Sequence, residues 1–158
     1  MSENSPTILV ADDNPILLQG LSRALVAAGY RVHTVSSGAA IFPFLERAPA
    51  LPDLLLLDVM MPGMTGLDVL RRLGEDPRWS ALPVILITAA SVEHLPLTAQ
   101  QAGALELLIK PFPLAELIGR IEARVRRARE PRRAAPVLES VPAARVAVRA
   151  LAEPGRES

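Results

Sequence analysis

Acidic, hydroxyl and lysine side chains follow four apolar runs of the sequence, at the points where those runs end. Asp12 and Asp13 follow the first run, and Asp58 follows four consecutive leucines. Thr88 and Lys110 come at the ends of two later runs. Carboxylates that are brought together repel one another unless a cation neutralises them, and a set of oxygen ligands suits Mg²⁺. A lysine and a hydroxyl beside the metal suit a phosphoryl group, which Asp58 would accept as a nucleophile to form an acyl phosphate.

The elements that must position these residues are short strands alternating with helices. The predicted strands are Thr7–Ala11, Arg31–Val35, 54–57, 83–87 and 105–109. The predicted helices are 15–28, 36–47, one beginning near residue 67, 96–102 and Leu114–Arg129. Asn14 and Pro15 are typical of a helix start, and Gly29 of a helix end. The alternating polar and apolar residues of the second strand indicate an edge position.

Five strand–helix alternations predict an α/β fold with a parallel sheet and helices on both of its faces. The common arrangement is the flavodoxin-like (βα)5, doubly wound fold, with strand order 2-1-3-4-5. Because parallel strands end at the same edge, that order brings Asp12 and Asp13 beside Asp58. Thr88 and Lys110 are predicted to line the same edge.

The composition limits the kinds of site and location that are expected. The 158 residues include no cysteine, which excludes disulfide bonds and thiolate metal sites and suits a cytoplasmic protein. The first residues lack a basic and apolar leader, and no apolar run approaches the roughly 20 residues that span a bilayer. We therefore expect a soluble, cytoplasmic protein without a signal peptide or membrane insertion.

Four segments, taken in order and at their spacing, resemble the receiver domain of bacterial two-component response regulators. The matching segments are 8–14, 58–66, 88–89 and 110–112. The resemblance covers residues 7 to about 126, and the predicted receiver domain is 1–129. It implies that Asp58 accepts a phosphoryl group from a sensor histidine kinase or a phosphotransfer protein.

The resemblance also implies roles for the other residues at this edge. The Mg²⁺ ligands would be Asp12, Asp13, Asp58 and the backbone carbonyl of Met60. Thr88 and Lys110 would contact the phosphoryl oxygens. Thr88 would also act as a switch residue together with Leu107, which stands where receiver domains usually carry Tyr or Phe.

The surface that passes on the signal is expected to depart from the usual pattern. Leu107 buries less area than an aromatic residue, and Pro96 shortens the predicted fourth helix. The resemblance implies a downstream protein partner, and a homodimer through the face formed by helix 4, strand 5 and helix 5. Both departures bear on whether this face signals in the standard way.

The last segment, 130–158, changes in character to a tail rich in Arg, Ala and Pro. Disorder or a short docking helix is expected for it. It is too short for a DNA-binding domain, so no sequence-specific nucleic acid binding is expected.

The favoured interpretation is a stand-alone receiver that catalyses only its own phosphorylation and dephosphorylation. One alternative is a degenerate receiver that acts as a dimerisation scaffold. Another is a Mg²⁺-dependent aspartyl-phosphate phosphatase, whose signature places the nucleophile after the first strand and a second Asp two residues on. Here the pair after the first strand is adjacent, and Met60 is two residues beyond Asp58. The plainest alternative is that Asp12 and Asp13 only favour a helix N-terminus.

Methionines follow Asp58 closely, and Met60, Met61 and Met64 are expected mainly to pack. Met60 and Ala90, two residues beyond Asp58 and Thr88, should flank the path of a hydrolytic water. Neither side chain orients or polarises water, which predicts a slow loss of phosphate. His33 and His94 are expected at the surface, without a metal.

Overall fold

One parallel sheet organises the protein, and the computed structural model describes residues 4–89 and 103–129 of it. The strands are β1 (Thr7–Ala11), β2 (Arg31–Val35), β3 (Leu54–Asp58), β4 (Val84–Thr88) and β5 (Glu106–Ile109). Their order is β2-β1-β3-β4-β5 and every neighbouring pair is parallel, so the predicted fold class is confirmed. The described helices are α1 (Pro15–Ala27), α2 (Ile41–Arg47), α3 (Gly66–Glu75) and α4 (Leu114–Arg129).

The sheet is buried on both faces because alternate residues of its central strands pack into opposite layers. The four leucines of β3 are fully buried. Leu55 and Leu57 pack in the layer under α2 and α3, whereas Leu54 and Leu56 pack under α1 and α4. β2 is at an edge and is the most exposed strand, as its alternating pattern predicts. His33 on this strand is exposed, with its ring 5.1 Å from that of Phe44.

The first helix begins where the sequence predicts, because Asn14 caps it. The Asn14 side-chain oxygen accepts hydrogen bonds from the backbone N–H groups of Ile16 at 3.0 Å and Leu17 at 3.3 Å. Pro15 occupies the first turn, where its missing N–H leaves no helix hydrogen bond unmade. Gly29, with φ of 101°, ends the segment in the left-handed region that glycine adopts readily. This anchors the start of α1 directly after Asp12 and Asp13.

The second helix corrects the prediction, since it begins at Ile41 and not at 36–38. Ser37 accepts a hydrogen bond from the backbone N–H of Ala40 at 3.2 Å, which stabilises a turn before the helix. The later start places Pro43 in the first turn of α2, where a proline lacks no helix hydrogen bond. The proline inside the predicted helix therefore marks where the real one begins.

Four predictions concern residues that the structure does not describe. The predicted fourth helix at 96–102, with Pro96, lies outside the described residues, as do Ala90, His94 and the 130–158 tail. Within residues 4–89 and 103–129, no helix combines the length and the apolar character needed to cross a membrane.

Candidate functional site at the carboxyl end of the sheet

Two adjacent acids follow β1 and differ in exposure. Asp12 is buried, and its backbone N–H donates to the Val35 carbonyl of β2 at 3.2 Å. Its Oδ1 accepts a hydrogen bond from the backbone N–H of Asn14 at 2.8 Å. Asp13 is exposed. The residue that caps α1 therefore also orients the Asp12 carboxylate, and Asp13 is left facing solvent.

The third acid, Asp58, is the last residue of β3 and is 4% exposed. β1 lies beside β3 with Ala11 opposite Leu57, so Asp58 ends its strand next to Asp12. The Asp58 Oδ1 accepts a hydrogen bond from the backbone N–H of Met60 at 3.1 Å. This contact fixes the carboxylate at the start of the loop that follows β3.

Carboxylate oxygens of Asp12, Asp13 and Asp58 lie within 4.8 Å of one another. The pKa of Asp58 is raised from 3.8 to about 6, mainly by burial; the Met60 N–H opposes this rise, and the charge of Asp12 adds to it. A buried acid beside two others is thus costly to ionise without a cation. An all-oxygen set with one solvent-facing member fits Mg²⁺, which usually keeps several of its waters.

A lysine completes this edge of the sheet. Lys110 follows β5, and its Nζ lies 3.0 Å from Oδ2 of Asp12 and 3.9 Å from Oδ2 of Asp58. Its backbone N–H donates to the Thr88 carbonyl at 2.7 Å, which ties the ends of β4 and β5 together. Thr88 is fully buried at the end of β4, the strand next to β3. The predicted site residues after four strands therefore meet at one edge.

The loop after β3 corrects one expectation. Val59 and Met61 are buried in the core, and Met64 packs against it, but the Met60 side chain is 59% exposed. The expectation that Met60 mainly packs is therefore wrong. Val59 lies at a bend, and the Met61 N–H donates to the Val59 carbonyl at 3.2 Å, which forms a tight turn at Met60. The Met60 side chain is therefore left in solvent two residues beyond Asp58.

Leu107 lies apart from the acidic cluster. Its side chain is 3% exposed and belongs to the core layer under α2 and α3. It lies on β5, three residues before Lys110, and β4 separates its strand from the strand of Asp58. The structure thus places Leu107 in the interior, and any role as a switch would act through packing.

A second buried charge cluster was missed by the sequence analysis. Glu106, at the start of β5, is 6% exposed and accepts hydrogen bonds at 2.5 Å from Arg120 Nη1 and from Arg124 Nε of α4. The sequence pattern that could have predicted this cluster is a glutamate inside an apolar strand, together with two arginines spaced four apart on a helix. The cluster lies at the opposite end of β5 from Lys110, so it is not part of the carboxylate site.

Comparison with known proteins identifies the family. The sequence matches the protein family described as "Response regulator receiver domain" over residues 8–122. It is 36% identical over 132 residues to the transcriptional regulatory protein BaeR of Escherichia coli O6:H1, covering 84% of this chain and 53% of BaeR. It is 38% identical over 122 residues to the response regulator PleD of Caulobacter vibrioides, covering 77% of this chain and 26% of PleD. The chain thus spans about half or less of the length of these curated relatives.

Solved structures with the same fold include receiver domains. The signal receiver domain of a signal transduction histidine kinase from Syntrophus aciditrophicus is 27% identical, with a TM-score of 0.74 over 83% of this chain and 98% of that chain. A response regulator from Thermotoga maritima is 28% identical, with a TM-score of 0.67 over 77% of this chain and 98% of that one. The sequence match, the sheet order and the acids at the strand ends agree, and the chain belongs to the response regulator receiver domain family.

Proposed function

We propose that this chain is a phosphorylation-controlled receiver that accepts a phosphoryl group on Asp58 from the phosphohistidine of a sensor histidine kinase or a phosphotransfer protein, in a reaction that requires Mg²⁺. One observation carries the proposal. Three carboxylates converge at the carboxyl end of the sheet, with the Lys110 ammonium 3.0 Å from one and 3.9 Å from another. This arrangement has one buried nucleophile, a site for a cation, and a fixed positive charge.

The chemistry follows from the positions of these groups. An Asp58 carboxylate oxygen attacks the phosphorus, the bond from phosphorus to the donor imidazole breaks, and an acyl phosphate forms. Lys110 is near enough to Asp58 to neutralise charge on the incoming oxygens. Asp12, Asp13, Asp58 and the Met60 carbonyl would hold Mg²⁺. The bound cation would neutralise charge on the transferred group and keep Asp58 ionised.

Two exposed apolar side chains support docking of a macromolecular donor at this edge. Ile16 is 80% exposed and Met60 is 59% exposed, the two highest values among the large hydrophobic residues that the structure describes. Ile16 lies in the first turn of α1, three residues after Asp13, and Met60 lies two residues after Asp58. Apolar surface close to the nucleophile suits a protein partner better than a small charged donor alone.

The output is proposed to pass to a downstream protein by a conformational shift that starts at Thr88. Thr88 and Leu107 are both buried on neighbouring strands, so a movement of one would be felt in the packing around the other. The stand-alone character and a homodimer through the face of the predicted helix 96–102, β5 and α4 remain part of the proposal. BaeR and PleD are named as regulators and are longer than this chain.

The test is phosphorylation by a small donor. The protein is incubated with acetyl phosphate and Mg²⁺, and its intact mass is measured. We expect a gain of one phosphoryl group that is lost when Mg²⁺ is chelated and is absent in Asp58→Asn, because an amide is a poor nucleophile. Asp53→Asn is the matched control, since Asp53 lies at the opposite end of β3 and contacts Thr7 and Arg129. A mass gain that persists in Asp58→Asn would show that another residue is the acceptor.

A further inference from the structure

We infer that Gly38, on the loop between β2 and α2, is a positioning residue for the Mg²⁺ site, an inference that rests on the proposed function. Gly38 is buried and packs against the loop that follows Asp58. A Cβ at this position would lie 2.7 Å from the Met64 carbonyl oxygen, 3.2 Å from Met64 Cβ and 3.0 Å from Val69 Cγ2. Real Cβ atoms essentially never come within 3.0 Å of another atom, so the two loops meet without room for a methyl group.

The segment that Gly38 contacts is held in place at both ends by β3 and by the start of α3. It begins at Asp58 in β3 and ends at Thr65, the N-cap of α3. Thr65 and Asp68 form a capping box, with backbone N–H groups donating at 3.0 Å and 3.2 Å to the partner's side chain. The Gly66 N–H donates to the Val59 carbonyl at 3.0 Å, which joins the two ends of the segment.

The start of α3 is also pressed against the nucleophile's own backbone. A Cβ on Gly66 would lie 2.6 Å from the Asp58 carbonyl oxygen and 2.8 Å from Val59 Cα. A displacement of Met64 can therefore be accommodated in two ways. It is absorbed within residues 59–64, which include the proposed Met60 carbonyl ligand, or it is passed through Gly66 to Asp58.

In both cases a proposed Mg²⁺ ligand moves, either the Met60 carbonyl or Asp58. Mg²⁺ is sensitive to small displacements of its ligands because it requires near-ideal octahedral geometry. Val59 and Met61 are buried in the core, so the loop has little freedom to move elsewhere. A side chain at position 38 is thus expected to displace a Mg²⁺ ligand, although the loop that carries Gly38 provides no ligand itself. Loss of a group that positions metal ligands typically lowers metal affinity at least tenfold, so this misplacement should weaken Mg²⁺ binding roughly tenfold.

The experiment measures Mg²⁺ affinity by titration with the metal alone, at a temperature where each variant is folded. We expect Gly38→Ala to bind Mg²⁺ about tenfold more weakly than the unmodified protein. Gly74→Ala is the matched glycine control, since a Cβ there meets nothing within 4 Å. Val125→Ala, a core change in α4, controls for general loss of stability. Both controls should keep the affinity of the unmodified protein.

A measurement on the unmodified protein keeps the inference testable if Gly38→Ala does not fold. In an NMR titration with Mg²⁺, the amide signal of Gly38 should shift with the same midpoint as that of Met60. The inference is overturned if Gly38 does not respond, if Gly38→Ala binds normally, or if Val125→Ala loses as much affinity. Failure of the unmodified protein to bind Mg²⁺ would instead contradict the proposed function.

Discussion

Replacing Asp58 with asparagine should stabilise the metal-free protein at neutral pH. The carboxylate is 4% exposed, close to Asp12, and burial is the main reason that its pKa is raised. An acid with a higher pKa in the folded state binds more protons when folded than when unfolded. Its contribution to stability is therefore fully present below the unfolded pKa and is lost as pH rises through the folded pKa. An asparagine carries no charge and avoids this loss.

The size of the effect follows from the pKa difference. A rise from 3.8 to about 6 spans about 2 units, and each unit corresponds to about 1.4 kcal/mol. Asp58→Asn should therefore raise the free energy of unfolding by up to about 3 kcal/mol near pH 7. Near pH 4 and below, where Asp58 is protonated when folded, the two proteins should differ little.

The assay is urea unfolding of both proteins in a metal chelator, at steps between about pH 4 and pH 8. The difference between the two free energies isolates Asp58, since the other acids titrate in both proteins. Asp68→Asn is the matched control, because hydrogen bonds from Thr65 lower the pKa of this half-buried acid. That control should give no gain at neutral pH. A difference between the Asp58 proteins that is constant with pH would refute the reasoning, as would a less stable Asn variant.

The remaining predictions concern the metal, the phosphate lifetime and the buried charge cluster. Mg²⁺ should raise the melting temperature, and Asp13→Ala should strongly reduce that rise; an unchanged rise by calorimetry would place the cation elsewhere. Met60→Asn should speed loss of phosphate by roughly tenfold after the donor is removed, because a polar side chain at this exposed position would orient water. An unaltered rate of phosphate loss would contradict this prediction. Glu106→Gln should lower the free energy of unfolding by roughly 3 kcal/mol, because two α4 arginines lose their buried partner. The control Glu116→Gln should lower it by under about 1 kcal/mol. Equal losses of the two variants in urea unfolding would contradict this prediction.

The features that could be predicted from the sequence depend on local pattern. Apolar runs, helix starts such as Asn14-Pro15 and the strand–helix alternation are set by neighbouring residues, and they predicted the sheet order that the structure has. The convergence of Asp12, Asp13 and Asp58 followed as well, because parallel strands with that order must end side by side.

Local pattern was less reliable where a turn competes with a helix. The start of α2 was placed too early because Ser36, Ser37 and Gly38 are residues that also begin helices. The Ser37 hydrogen bond to Ala40 and the position of Pro43 decide the boundary, and both depend on how the chain approaches the sheet.

Only the tertiary structure decided the properties that depend on distances between remote segments. Lys110 lies closer to Asp12 than to Asp58, Met60 faces solvent, and Glu106 is neutralised by two arginines of α4. The raised pKa of Asp58 and the contact of Gly38 with Met64 belong to the same group. A sequence determines which side chains reach one edge of a sheet, but packing across the fold determines their separations, and charge interactions and steric contacts depend steeply on separation.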